Sequence, residues 1–192
     1  MTDAIREAFP EISEIDDESL AAQVIEVWSL GLDRGGWRSI HDIPYAWNID
    51  EVTTVEHVRG VAMLSQNGAE LTRQYHDAQP DEDVVLAAAL LHDVGKCYEY
   101  VEYVEDDLVE PNPTYADGTI PHSLSSYALA HEVGCPIAVQ QAIPHVIGEI
   151  PTRTLEAEIV KHANAISSNA ITQATMGLSL DEWIEEYSTA TN

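Results

Sequence analysis

The sequence contains two lysines, Lys96 and Lys161, in 192 residues, and eight basic residues in all against 34 acidic ones. A formal net charge of −26 excludes nucleic acid polymers and anionic membranes as general partners, because phosphate-bearing surfaces are bound through basic ones. Cysteine is equally sparse. Cys97 and Cys135 are too few for a disulfide framework or a cysteine-based zinc site. No apolar run approaches the roughly 18 residues of a membrane span. The opening residues, MTDAIREAFPEISEID, place acids where a secretory signal needs a positive region and an apolar run. The expectation is a soluble, cytoplasmic protein, with no internal repeat, low-complexity tract or linker along it.

What is present is ample apolar material. Hydrophobic residues make up 45% of the chain, with four Trp and eight Tyr, enough for one domain with a sizeable core. The acids are dispersed rather than gathered in one tail. Dispersal together with scarce lysine points to a surface solvated for high internal salt, hence a halophilic source, rather than to a single acidic docking patch.

Almost every periodic stretch reads as helix. DDESLAAQVIEVWSLGLDRGG opens on acidic caps, spaces Leu20, Val24, Ile25, Trp28 and Leu32 helically, and ends on Gly35-Gly36. Residues 36–52 read as an irregular loop. A long helix follows from Thr53, with Glu56 three positions on in a capping-box pattern. DEDVVLAAALLHDVGK carries acids in its first turn, where they suit the helix dipole. YEYVEYVEDDLVE alternates in places and allows a short hairpin or flap near 98–110, and 111–121 reads as loop. Three more helices are expected in 122–134, 136–149 and 155–177, with a last amphipathic piece around Trp183. The fold class expected is all-α, a single domain of about six or seven helices. Its core would span 53–176, with 1–52 packing on it as a helix and loop and 177–192 adding a terminal helix.

The stretch VVLAAALLHDVGK raises the functional question. A nearly continuous apolar run ends on His92-Asp93, two groups that are costly to bury without partners. Taken alone, the doublet reads as a helix C-terminal pair satisfying its own carbonyls. His57, His122 and His145 change that, because each falls in or beside an apolar stretch on a different expected helix. Helical bundles build sites by projecting side chains inward from facing helices. Adjacent helical residues diverge by about 100°, so His92 and Asp93 can hold one ion from two directions, or Asp93 can bridge two. Imidazole and carboxylate suit iron, manganese, zinc or cobalt. His41-Asp42 repeats the doublet without an apolar helix leading into it and is set aside. His76 is expected at the surface, and His131 on the opposite side of its helix from His122. Cys97 is expected to be a small core residue.

The series His57, His92-Asp93, His122, His145 resembles the HD-domain superfamily of metal-dependent phosphohydrolases. ALLHDVGK resembles its central motif, and the resemblance covers roughly 53–170. The two later histidines are similar to those of the subset with a dinuclear centre, whose ligand order is His, His-Asp, His, His, Asp. One position departs: where that subset has its last Asp, the segment EIVKHANAI has Asn164. An amide oxygen ligates metal but brings no charge. Asn164 is then a weak neutral ligand, or one ion is lost, or the chemistry is altered. His162 faces nearly opposite to position 164 and is a poor substitute.

The resemblance implies a metal ligand set of His57, His92, Asp93, His122, His145 and Asn164. It holds one or two divalent transition-metal ions, Fe or Mn first, with Zn, Co and Ni as alternatives. Asp93 would ligate and orient the attacking water, and Lys96 would stabilise charge on phosphate oxygens. Arg59 and Arg153 are weaker candidates for that contact. The substrate implied is a small phosphorylated molecule such as a nucleotide. Nucleic acid polymers and membranes are not expected partners, and a homodimer is the oligomer considered. Two alternatives stand beside this reading: a di-iron oxygenase on the same scaffold, and a non-catalytic metal-binding or regulatory protein.

Overall fold

Among the described residues, four α-helices start on a side chain that takes up their first free amides, and those caps fix where the helices begin. In the computed structural model, which describes residues 1–46, 49–103, 108–115, 120–145, 154–179 and 182, α1 spans Thr2–Ala8 and α2 spans Glu18–Gly35. Of residues 50, 103, 108 and 145 the backbone alone is described. Asp17 caps α2 by accepting from the Ser19 and Leu20 amides, and Gly36, at φ 75°, ends it in the left-handed conformation glycine adopts without penalty. Helix α3 (Thr54–His76) opens on the expected capping box of Thr53 and Glu56. Asp81 caps α4 (Glu82–Leu91), and Thr154 caps α8 (Leu155–Met176). Between them lie the single-turn α5 (Lys96–Glu99), α6 (His122–Val133) and α7 (Ile137–His145).

Helix α4 is the centre of the packing. Every residue from Val84 to Leu91 is buried, because the helix is apolar on all sides and is enclosed by α2, α3, α7 and α8. Trp28 of α2 donates its indole N–H to the Leu90 carbonyl at 2.9 Å, so a large core ring also takes up an acceptor at the end of α4. One apolar cluster runs from Ile5 in α1 to Ala163 in α8. The architecture is the expected helical one, with two small antiparallel hairpins added.

The first hairpin, β1 (Pro44–Ala46) with β2 (Ile49–Thr53), replaces the irregular loop expected over 36–52. Tyr45, Ala46 and Ile49 are buried against Ile171 and Met176 of α8. The loop is therefore ordered by a helix far away in sequence, which local patterning does not carry. The second, β3 (Tyr100–Tyr103) with β4 (Leu108–Pro111), pairs Tyr100 with Pro111 and Tyr103 with Leu108, as the alternation suggested. The amphipathic piece around Trp183 lies outside the described residues.

Between α4 and α5 the chain turns through His92–Gly95 and presses against the start of α6. Gly95 has ordinary helical dihedrals (φ −63°, ψ −15°), so conformation does not require glycine there. Space does: an added Cβ would lie 2.8 Å from the His122 carbonyl carbon, 2.9 Å from Ser125 Cβ, and closer still to the His122 carbonyl oxygen. Gly95→Ala is expected to destabilise the protein by at least the roughly 1–3 kcal/mol typical of overpacking. Gly60→Ala, whose Cβ would meet only Ser167 Oγ at 3.4 Å, is expected to be near neutral. Denaturant unfolding of the two variants checks the difference.

Candidate metal centre

The end of α4 aims its last residues into the bundle. His92 is the C-cap of that helix (φ −59°, ψ −30°), and its Nδ1–H donates to the Ala89 carbonyl at 2.7 Å. The helix end thus satisfies one of its own free acceptors and at the same time fixes the ring. With Nδ1 protonated, Nε2 of the neutral imidazole carries a lone pair. His57, in the first turn of α3, contacts Ser167 Oγ of α8 through Nδ1 at 3.0 Å. The Asn164 carboxamide, also on α8, hydrogen-bonds the same imidazole. The Tyr45 ring covers His57 at a centroid distance of 4.7 Å.

These supports bring His57 Nε2 to 3.3 Å from His92 Nε2. The Asp93 carboxylate closes the group, with Oδ2 3.6 Å from His57 Nε2 and Oδ1 3.5 Å from His92 Nε2. All three residues are buried, and their donor atoms lie within 4.8 Å of one another. Burial pushes His57 down to about 3, outweighing the upward pull of Asp93, which keeps its imidazole neutral near pH 7. The Ala89 carbonyl fixes the proton of His92 on Nδ1. If His57 likewise carries its proton on the Nδ1 that meets Ser167, two Nε2 lone pairs and a carboxylate face one another, an arrangement that a cation relieves. Two donors about 2.1 Å from a shared ion lie roughly 3.0–3.6 Å apart for bond angles between 90° and 120°, which matches the spacings found. The residues present fit a divalent metal ion.

On the other side of Asp93 stands His122, the first residue of α6. Its Nε2 is 3.2 Å from Asp93 Oδ1 and its Nδ1 is 3.2 Å from Glu99 Oε2. Glu99 is also 3.5 Å from Lys96 Nζ, which donates to the Tyr45 carbonyl at 2.8 Å and lies near the Tyr45 and Tyr100 rings. Burial opposes the charged form of each of these groups, yet the opposite charges win. Asp93 is held well below the usual carboxylate range by His92, Lys96 and His122, and Glu99 falls to about 2. His122 rises to about 9 through Asp93 and Glu99, and Lys96 is pushed upward. The site is therefore a chain of alternating charge running from Asp93 through His122 and Glu99 to Lys96.

The expected site residues divide as follows. His57, His92 and Asp93 converge, His122 adjoins through Asp93, and Asn164 touches His57. His145 ends α7, and its side chain lies outside the described residues, as does Arg153. Lys96 is buried with its ammonium held by Tyr45 and Glu99, and Arg59 pairs with the buried Glu11 at 2.8 Å. His41, His76 and His162 are exposed, while His131 contacts Gln140 at 3.0 Å and stacks on Tyr127. Cys97 lies in the core, its thiol pushed up by burial. Sequence reasoning missed Glu99, Ser167 and Tyr45. Glu99 sits three residues after Lys96, an i,i+3 spacing that could have drawn attention, but it was one acid among many. Nothing local marks Ser167 or Tyr45.

These shifts set opposite pH limits on the metal-free protein. His57 is neutral when folded, so its contribution is whole above its ordinary value of 6.5 and is lost as pH falls toward 3. Glu99 adds a loss between about 4.5 and about 2. His122 acts the other way, its contribution whole below 6.5 and lost as pH rises through about 9. Thermal melts of chelator-treated protein are expected to peak near pH 6.5 and fall on both sides. His122→Gln is expected to flatten the alkaline side.

A family model described as the HD domain matches residues 54–169, which takes in α3 through most of α8 and every residue of the converging group. No curated protein and no solved structure matches the chain. A match over more than half of the sequence, laid on a helical fold with His57, His92 and Asp93 gathered at its centre, places the protein: the chain belongs to the HD domain family, a superfamily of metal-dependent phosphohydrolase type.

Proposed function

We propose that the protein hydrolyses a phosphate ester or anhydride of a small substrate, such as a nucleotide, using a divalent metal ion held by His57, His92 and Asp93. The observation that carries the reading is the convergence of two imidazole Nε2 atoms and a carboxylate, all buried, at 3.3–3.6 Å. His122 lies on the free side of the Asp93 carboxylate, where it extends the donor set toward a second ion. His145 and Asn164 are its further candidate ligands. Imidazole and carboxylate donors favour Fe or Mn, with Zn, Co and Ni as alternatives. When bound, such an ion polarises a phosphoryl oxygen and makes its water acidic.

The chain's own groups supply orientation and charge. Ser167 and the Ala89 carbonyl hold the two rings that face the ion. Asp93, charged across the whole neutral range, ligates with one oxygen and accepts a hydrogen bond with the other. Lys96 keeps its positive charge beside Asp93 and Glu99. In that position it acts on the site from behind the carboxylates, and a direct contact to phosphate would require it to leave the Tyr45 carbonyl. A net charge of −26 repels a phosphorylated substrate at long range, so attraction has to come from the ion itself.

Elemental analysis of protein purified without chelator is expected to find transition metal near stoichiometry. A panel of phosphate esters in high salt is expected to find metal-dependent phosphate release that needs no oxygen. Asp93→Ala and His92→Ala are expected to lose both metal and activity. Metal-free wild-type protein would sink the reading, and oxygen-dependent turnover would move it to the oxygenase alternative. Asn164→Asp adds a carboxylate beside His57 and is expected to raise metal content or rate. No change in either would remove position 164 from the ligand set.

A further inference from the structure

Glu99 has no part in the ligand set, yet it is the group that holds the His122 ring. We propose that Glu99 is a positioning residue for metal binding, fixing the His122 imidazole so that its Nε2 faces Asp93 and the metal centre. The inference rests on the reading of Asp93 and its neighbours as a metal site.

Three observations carry it. First, the His122 ring is gripped at both nitrogens, Nδ1 at 3.2 Å from Glu99 Oε2 and Nε2 at 3.2 Å from Asp93 Oδ1. Without metal the ring faces a carboxylate at each nitrogen and both nitrogens carry hydrogen; an ion at Nε2 would displace the Nε2 proton and leave the Nδ1–H directed at Glu99. The direction in which Nε2 points is therefore set by the Glu99 contact at Nδ1. Second, Glu99 is itself held. Its Oε2 is sealed from solvent and makes no well-aligned hydrogen bond, so it is held by charge, with His122 Nδ1 at 3.2 Å and Lys96 Nζ at 3.5 Å, the ammonium being bonded to the Tyr45 carbonyl at 2.8 Å. The carboxylate cannot rotate away without leaving a buried ammonium short of a counter-charge, which is strongly unfavourable. Third, the Glu99 carbonyl accepts from the Asn112 amide at 2.8 Å. That bond closes the base of the β3–β4 hairpin, so the backbone at Glu99 is fixed as well as the side chain.

The arrangement also explains why a ligand at the very first position of a helix can be oriented at all. Helix α6 has no side-chain cap hydrogen bond and no acid in its first turn, so neither of these usual first-turn restraints acts on His122. The restraint comes from across the hairpin, through a carboxylate 23 positions earlier.

Manganese binding, measured by calorimetric titration of metal-stripped protein, separates the possibilities. Glu99→Ala is expected to weaken the dissociation constant about 10–100-fold, the usual cost of removing a partner of a metal-bound histidine. Glu99→Gln, which keeps an acceptor oxygen at the same reach, is expected to recover part of the loss. In a double-mutant cycle, Glu99→Ala added to His122→Ala is expected to cost nothing further, because Glu99 acts through that ring. Wild-type affinity in Glu99→Ala, or an equal loss with and without His122, overturns the proposal. Asp93→Ala that binds manganese as tightly as wild type overturns the underlying metal-site reading instead.

Discussion

A single buried carboxylate organises the centre of the molecule. Asp93 is 3% exposed, and an ion taken so far out of water costs several kcal/mol unless it is well compensated. Compensation comes from three directions. His92 stands beside it at the end of α4, His122 reaches it from α6 and Lys96 from α5. Each of these elements must dock at a set distance for the carboxylate to be tolerated, so the charge specifies how the helices meet. The close approach of Gly95 to the His122 carbonyl and the Ser126 hydroxyl, which accepts from the Gly95 amide and donates to the His92 carbonyl, hold that meeting point in place.

The apolar run before the doublet has the matching role. A helix apolar on all sides packs equally well in many rotations, and binary patterning alone does not choose among them. The polar pair at its end removes that freedom, since only one rotation lets His92 meet His57 and Asp93 meet His122. Trp28, bonded to the Leu90 carbonyl, pins the same turn from the opposite side. Stability comes from the apolar surface, and uniqueness comes from the two polar residues.

Much of this is legible in the sequence, and the part that is not has a physical reason. His57 could be placed because a capping box fixes the start of its helix. The doublet could be placed because it ends a run of core residues. Two readings of His92, as a helix terminator or as a ligand, turn out to use different nitrogens of one ring: Nδ1 closes the helix on Ala89 while Nε2 faces the site. Supporting groups such as Ser167, Tyr45 and Glu99 were illegible, because a second partner of a histidine needs only an acceptor at the right point in space. In a chain with 34 acids, nothing distinguishes the one that pairs with His122. The β1–β2 hairpin was hidden for the same reason, its order depending on α8, more than a hundred residues away.

Local charge bears on how many ions such a centre accepts. Once His122 gives up its proton, as ligation requires, Asp93 and Glu99 contribute two negative charges and Lys96 one positive, so the group carries about −1. One divalent ion brings it to about +1, which a phosphate substrate neutralises on binding. A second ion without a further ligand charge raises it to about +3 in a buried setting, where uncompensated charge is most costly. An aspartate at position 164 would supply the missing negative charge, and Asn164 does not. On the proposed reading, the second ion is therefore bound weakly until a phosphate arrives with it. The surface charge of −26 does not relieve this, because exposed carboxylates in water are screened within a few ångströms at high salt. On that reading the number of ions would be set by the few charges inside the bundle rather than by the acidic exterior.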